Sequence, residues 1–477
     1  MSVFPPWRLQ PFCAPVLLLL AMLLLPGVQS SVLAQDGLVE IYRQAVANDP
    51  SLAGAKSLRE ATRESLTQAW SEVRPTLDAS YTYTNTTQEI ISSDNTVYDQ
   101  GESDYDTKEY SLTLRQPIFR LDTFMAVNRA KIEQAKAEVD LEAVKQDLIV
   151  RVTERYLKAL SAQGQLEFAQ AEEAAVRQHY ELASGRFEMG LAPITDLYDA
   201  KARLASREAR TLEAEIEFGD ALQALRELTG VLPDGLAALD DGFEPLSPAP
   251  DDVELWVAAA LEQNLTVQSQ RELVELARRT VKIQKAGHYP TLELVGRFNN
   301  QATDGTLFGG GSEVETTDIS LQFSLPLYHG GVTSSKSREA LEQYNKTQAD
   351  FEKVVRETER LARSSFLGVR NSITRIAALK EAVVSQQSTL EAKQEGYRSG
   401  LFTSLAVLDA ERDLYMAMNE YAQARYDYIL SSLKLRQADG SLSNTDLELA
   451  SSWFASLMTA DPRMEEMEEP EHEGTPN

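Results

Sequence analysis

The chain contains its own plan twice, and this constrains its architecture more than any other feature. At an offset of about 210 residues, Pro75-Thr76-Leu77 returns as Pro290-Thr291-Leu292, and Tyr156-Leu157 returns as Phe366-Leu367. Ser111-Leu112-Thr113-Leu114-Arg115-Gln116-Pro117 returns as Ser320-Leu321-Gln322-Phe323-Ser324-Leu325-Pro326. Gly190-Leu191 returns as Gly400-Leu401, and Leu225-Arg226 with Gly230 as Leu435-Arg436 with Gly440. Order and polarity agree throughout. A breaker-rich stretch from Gly230 to Pro250, with three glycines and four prolines, joins the halves.

Each half reads as helix, strand, long loop, strand, very long helix, small break, helix. The strands show period two. Leu77, Ala79, Tyr81 and Tyr83 alternate with Asp78, Ser80, Thr82 and Thr84, and Tyr110, Leu112 and Leu114 with Ser111, Thr113 and Arg115. In the second half Leu292, Leu294 and Phe298 share a face, as do Ile319, Leu321, Phe323 and Leu325; Glu293, Arg297, Ser320, Gln322 and Ser324 lie opposite. Such runs fit transmembrane barrel strands, and equally a soluble half-buried sheet. The polar stretches 89–106 and 302–316 favour the barrel, because long polar loops suit its outer end. Four strands cannot close a barrel, and lipid tolerates no open edge, so several copies must pool their strands. Two copies would supply eight strands and three would supply twelve.

The helices are too long for a compact domain. No proline occurs from Arg120 to Ala192 or from Leu327 to Asp461. Leu141, Val144, Leu148, Val152, Tyr156 and Leu160 step by three or four, as do Phe351, Val354, Leu361, Val369, Ile373 and Ile376 at wider intervals. That spacing predicts an apolar stripe buried on partner helices. Roughly 65 residues at about 1.5 Å each give a rod of ~100 Å. Gly190 and Gly400 mark the far turns of two αα-hairpins.

Length and charge set the remaining bounds. A chain of 477 residues would ordinarily suggest about three domains. The net charge of −27 argues against a nucleic-acid partner. A mean hydropathy of −0.31 excludes a multi-span helical membrane protein. Residues 1–34 read as a signal peptide, with Arg8 before an apolar run from Val16 to Leu25 and small residues before Gln35. That apolar run is too short to span a bilayer. The single cysteine, Cys13, lies in this segment, so no disulfide framework or Cys-based metal site is expected. The division expected is 1–34 signal peptide, 35–230 first repeat with a strand hairpin at 77–117, 231–252 linker, 253–440 second repeat with a hairpin at 291–327, 441–460 C-terminal segment and 461–477 acidic tail.

Four motifs carry a resemblance to a known family. They are Arg186-Phe187-Glu188-Met189-Gly190-Leu191-Ala192-Pro193-Ile194-Thr195-Asp196, Phe323-Ser324-Leu325-Pro326-Leu327-Tyr328-His329-Gly330-Gly331, Gly396-Tyr397-Arg398-Ser399-Gly400 and Ala424-Arg425-Tyr426-Asp427-Tyr428. With the repeated plan, they resemble the TolC family of outer-membrane factors over about residues 36–455. The resemblance implies an α+β channel-tunnel: a homotrimer whose four strands per protomer complete a 12-stranded barrel in the outer-membrane lipid, continued by a helical periplasmic tunnel. It implies an equatorial belt built from residues 231–255 and the segment after Gly440. It also implies an exit duct of tripartite efflux pumps or type I secretion systems, partnered by a periplasmic adaptor and an inner-membrane transporter.

The resemblance places the pore constriction at the periplasmic tip. Thr195, Asp196 and Tyr397 match the family's closing network, and Asp409 matches one acid of its constricting ring. A ring of carboxylates in a narrow pore selects cations; otherwise Asp196 and Asp409 are solvated helix acids. The chain departs from the pattern at Phe402, where the family has a basic residue, and at Ala406, where it has the second ring acid. Arg398 and Arg186 are the substitutes available in sequence. Tyr397 hydrogen bonds and Phe402 packing are therefore expected to carry more of the closed state. Gly190, Leu191, Gly400 and Leu401 are expected to meet the adaptor, since glycine permits close approach and leucine supplies apolar contact.

Other chemistry finds little support. His179, His288, His329 and His472 are scattered, with no helical pair suited to zinc. Gly309-Gly310-Gly311 does not stand between a strand and a helix, so no phosphate loop is expected. No nucleophile elbow occurs. No enzyme activity and no cofactor are expected. The alternative function is a periplasmic coiled-coil scaffold without a pore.

Overall fold

A computed structural model describes residues 37–92, 101–240, 242–305 and 310–454. The expected signal peptide and acidic tail lie outside the described residues. The first repeat comprises α1 (Leu38–Asn48), α2 (Pro50–Ser71), β1 (Thr76–Ile90), β2 (Gly101–Phe119), α3 (Leu121–Glu188) and α4 (Ile194–Thr229). The second comprises α5 (Val253–Gln263), α6 (Leu265–Ala286), β3 (Thr291–Thr303), β4 (Ser312–Ser324), α7 (Val332–Arg398) and α8 (Ser404–Asp439). A short α9 (Asn444–Ser451) follows.

Three expectations need correction. The opening helix of each repeat is two helices. Asp49 ends α1 and caps α2, accepting from the Leu52 amide at 2.9 Å, and Pro50 takes the first helical position. Asn264 plays the same part between α5 and α6, accepting from Thr266 and Val267. The polar stretches 89–106 and 302–316 are also not all loop. The strands continue into them, pairing Asn85 with Asp106 and Gln301 with Val314. Antiparallel pairing needs only backbone groups, so the ribbon extends beyond the point where apolar alternation stops. Finally, the α7 stripe differs. Leu361 is exposed, whereas Ala362 and Phe366 are buried beside Val369 and Ile376.

The strands form one antiparallel sheet in the order β1-β2-β3-β4. Its register collects the apolar positions on one face. Leu77 stands opposite Leu114, Ala79 opposite Leu112 and Tyr81 opposite Tyr110. Leu112 pairs with Phe298, Leu294 with Leu321 and Leu292 with Phe323. The Tyr81 and Tyr110 rings lie 4.8 Å apart, centroid to centroid. This face is left uncovered within one chain: Ile319 is 80% exposed and Leu77 68%. The other face is polar, with Ser80 and Ser111 hydroxyls joined at 2.8 Å. Among the described residues, β1 and β4 each pair on one side only.

The helices run away from the sheet as two αα-hairpins, α3 with α4 and α7 with α8. At 68 and 67 residues, α3 and α7 are each about 100 Å long. The core lies midway along them, where α1, α3, α4, α8 and α9 bury Leu38, Val152, Tyr156, Leu225, Ile429 and Leu447. The segment 231–252 is fastened into this core. The Tyr156 hydroxyl accepts from the Ala237 amide at 2.9 Å and donates to its carbonyl at 3.1 Å. The Tyr428 hydroxyl does the same for Leu246 at 2.8 and 2.9 Å. Arg425 is buried, donates to the Asp240 carbonyl and lies over the Phe243 ring at 5.5 Å. Two residues of the Ala424–Tyr428 motif thus hold a breaker-rich segment that has little regular structure of its own.

Candidate functional site: the helical tips

Both hairpins turn by the same device. At the end of α3 the Gly190 amide donates to Phe187 and the Leu191 amide to Arg186, at 2.9 and 2.8 Å. At the end of α7 the Gly400 amide donates to Tyr397 and the Leu401 amide to Gly396, at 3.0 and 2.7 Å. Each is a Schellman turn. Gly190 and Gly400 take φ of +73° and +79°, a region that side chains disfavour. Among the described residues, nothing lies within 4 Å of where a β-carbon would stand on either glycine. Leu191 and Leu401 follow, 73% and 80% exposed. Each tip therefore presents open backbone beside one bare leucine.

The expected gate residues are gathered at this end, without all being joined. Thr195 and Asp196 open α4, and Thr195 Oγ1 donates to Asp196 Oδ1 at 3.3 Å. Tyr397 is half-exposed on the last turn of α7. Among the described residues of one chain, no hydrogen bond connects Asp196 with Tyr397, and no basic group pairs with Asp196. Arg398 is engaged by Glu395 at 2.5 Å. Phe402 folds back over Gly396: a β-carbon there would stand 2.7 Å from Cε2 of its ring, and closer still to Cδ2.

Asp409 lies two turns into α8 and is exposed. Its neighbour Arg412 stands 3.9 Å away but bonds more closely to Asp413, at 2.9 Å. The Asp413 hydrogen bond, reinforced by the charges of Asp413, Asp409 and Glu172, raises the Arg412 guanidinium above its ordinary pKa. Sequence reading missed Arg412 and the buried acid Glu172 on α3. The i, i+3 spacing of Asp409 and Arg412 was a signal for the first. No local pattern marks the second.

The chain is similar to known proteins over most of its length. A family model described as outer membrane efflux protein matches residues 41–231 and 256–441, one block per repeat. Outer membrane protein TolC of Vibrio cholerae is 34% identical over 88% of this chain and 94% of that protein. The alkaline protease secretion protein AprF of Pseudomonas aeruginosa is 30% identical over 88% of each. Among solved structures, the CmeC outer membrane channel of Campylobacter jejuni superposes with a TM-score of 0.75, covering 88% of this chain and 90% of that one at 18% identity. The fold is thus that of an outer-membrane channel-tunnel. The chain belongs to the outer membrane efflux protein family and is an outer-membrane exit duct.

Proposed function

We propose that three copies of this chain form one gated duct, pooling their strands into a twelve-stranded barrel and their hairpins into a periplasmic tunnel. One observation carries this reading: a four-stranded sheet that is apolar on its uncovered face, polar on the other, and unpaired along both outer edges. Lipid requires those edges to be closed. In this reading residues 1–34 direct export, and the duct passively conducts drugs or exported proteins delivered by an inner-membrane transporter. A periplasmic adaptor meets the tips at Gly190, Leu191, Gly400 and Leu401. Thr195, Asp196, Tyr397 and Phe402 line the closing end, and Asp409 supplies the acidic ring.

Heat-modifiable trimers in the outer-membrane fraction, with discrete conductance in planar bilayers, are the expected result. A soluble periplasmic species without conductance overturns it in favour of a scaffold. Asp409→Ala should weaken divalent-cation block and cation preference; unchanged block removes Asp409 from the pore.

A further inference from the structure

Above the tips, α3, α4 and α8 line an open cleft within one chain. Its apolar side includes Phe168 and Tyr415, with ring centroids 5.5 Å apart. Against this side sits Glu172, whose side chain is 9% exposed. Arg207 Nε, from α4, lies 3.2 Å from Glu172 Oε1. Among the described residues, Glu172 Oε2 is buried and has no hydrogen-bond partner. A buried carboxylate oxygen left unpaired is costly, and a donor within reach is drawn to it.

Arg412 lines the same cleft from α8. The other two arginines there are engaged, Arg207 by Glu172 and Arg203 by Asp199 at 2.8 Å. Arg412 is held by acids that are themselves in water: Asp413 is 40% exposed and Asp409 51%. Solvent-exposed pairs are weak. A guanidinium has five donors and can change acceptors by rotating its side chain. Asp409, His179 and Glu411 complete the titratable lining.

We propose that Arg412 exchanges between its own helix, where it bonds Asp413 and stands 3.9 Å from Asp409, and Glu172 Oε2 on α3, so that Glu172 sets how much charge Asp409 presents. With Arg412 on its own helix, bonded to Asp413, its charge stands beside the Asp409 carboxylate and partly offsets it. With Arg412 on Glu172, α8 is tied to α3, the buried oxygen is satisfied, and Asp409 is bare. The α3–α4 hairpin thereby controls a selectivity group on the α7–α8 hairpin. This rests on the reading of Asp409 as a pore acid.

The test is the cation-over-anion permeability ratio of purified trimers in planar bilayers. Arg412→Gln should raise the ratio by unmasking Asp409. Glu172→Gln, which keeps size and shape, should lower it about twofold by returning Arg412 to Asp413, beside Asp409. That fall should vanish in Arg412→Gln and in Asp409→Asn backgrounds. A Glu172→Gln variant that leaves the ratio unchanged, or shifts it equally without Arg412, overturns the proposal. If Asp409→Asn alone changes nothing, the pore reading has failed, and thermal melting of the trimers decides the pairing. Glu172→Gln and Arg412→Gln should then depart from additivity by roughly 2 °C, whereas additive effects overturn the shared arginine.

Discussion

The ring of Phe402 lies across Gly396, one turn before the Schellman glycine of its own hairpin, and occupies the space that any larger residue at 396 would need. Gly396 is buried for this reason and not for backbone freedom. Alanine is favoured over glycine inside a helix by about 1 kcal/mol. Gly396→Ala should forfeit that gain by expelling the ring, and should lower the melting temperature of the trimer. In a Phe402→Ala background the same change should raise it. A stabilising Gly396→Ala in the unmodified chain would show that the ring is not held there.

The tip glycines separate folding from docking. Their positive φ costs a residue with a side chain about 1–2 kcal/mol, small against a trimer. No atom stands in the way of a new side chain at either position. Gly190→Glu and Gly400→Glu should therefore leave trimer yield and bilayer conductance intact while abolishing efflux or secretion in cells. Retained export would remove these turns from the adaptor contact.

These two sites show which features a sequence discloses. Gly190 and Gly400 were legible because glycine with nearby helix signals on both sides is local chemistry. Leu77, Leu112 and Leu321 were legible because period two survives wherever one face is apolar. Where both faces are polar, as from Asn85 and Asp106 onward, the strand leaves no alternation to read. The break at Asp49-Pro50 carries a proline, whereas Asn264 breaks its helix by a cap alone. Glu172 was hidden because three helices, far apart in sequence, decide its burial. Asp196 and Tyr397 are not joined within one chain, and no local pattern encodes what neighbouring copies would bring to them.

Asp49 offers a stability test with a defined sign. It is 3% exposed, caps α2 and accepts two hydrogen bonds from Arg151 of α3, at 3.1 and 3.4 Å. Burial alone would raise its pKa, but the Arg151 hydrogen bonds, the Leu52 and Ser51 amides and the Arg151 charge outweigh it and hold the carboxyl below the ordinary aspartate range. A depressed folded-state value stabilises the fold above the unfolded value and is lost as pH falls through the folded one. Asp49→Asn keeps a cap acceptor but removes the charge, and should cost about 1–3 kcal/mol at neutral pH. The difference in melting temperature from the unmodified chain should shrink as the pH falls below the ordinary aspartate range. A difference constant with pH would assign the whole effect to packing.

The sheet makes the sharpest demand, because adjacent residues of one strand should respond oppositely. Leu112 stands between Ala79 and Phe298 on the apolar face, and Ser111 between Ser80 and Asn299 on the polar face. In a barrel the first meets lipid and the second meets the lumen. A lysine on the lipid face near the bilayer midplane costs about 2–4 kcal/mol, whereas a lumen position keeps its water. Across a trimer the lipid-face penalty is incurred three times. Leu112→Lys should sharply reduce heat-modifiable trimers in the outer-membrane fraction, and Ser111→Lys should assemble normally with an altered ion preference. A soluble half-buried sheet packed through its apolar face would also lose assembly with Leu112→Lys, but it would give Ser111→Lys no conductance to alter. The bilayer measurement on Ser111→Lys therefore separates a membrane barrel from a soluble sheet: a changed ion preference at this one residue requires that the polar face line an aqueous pore.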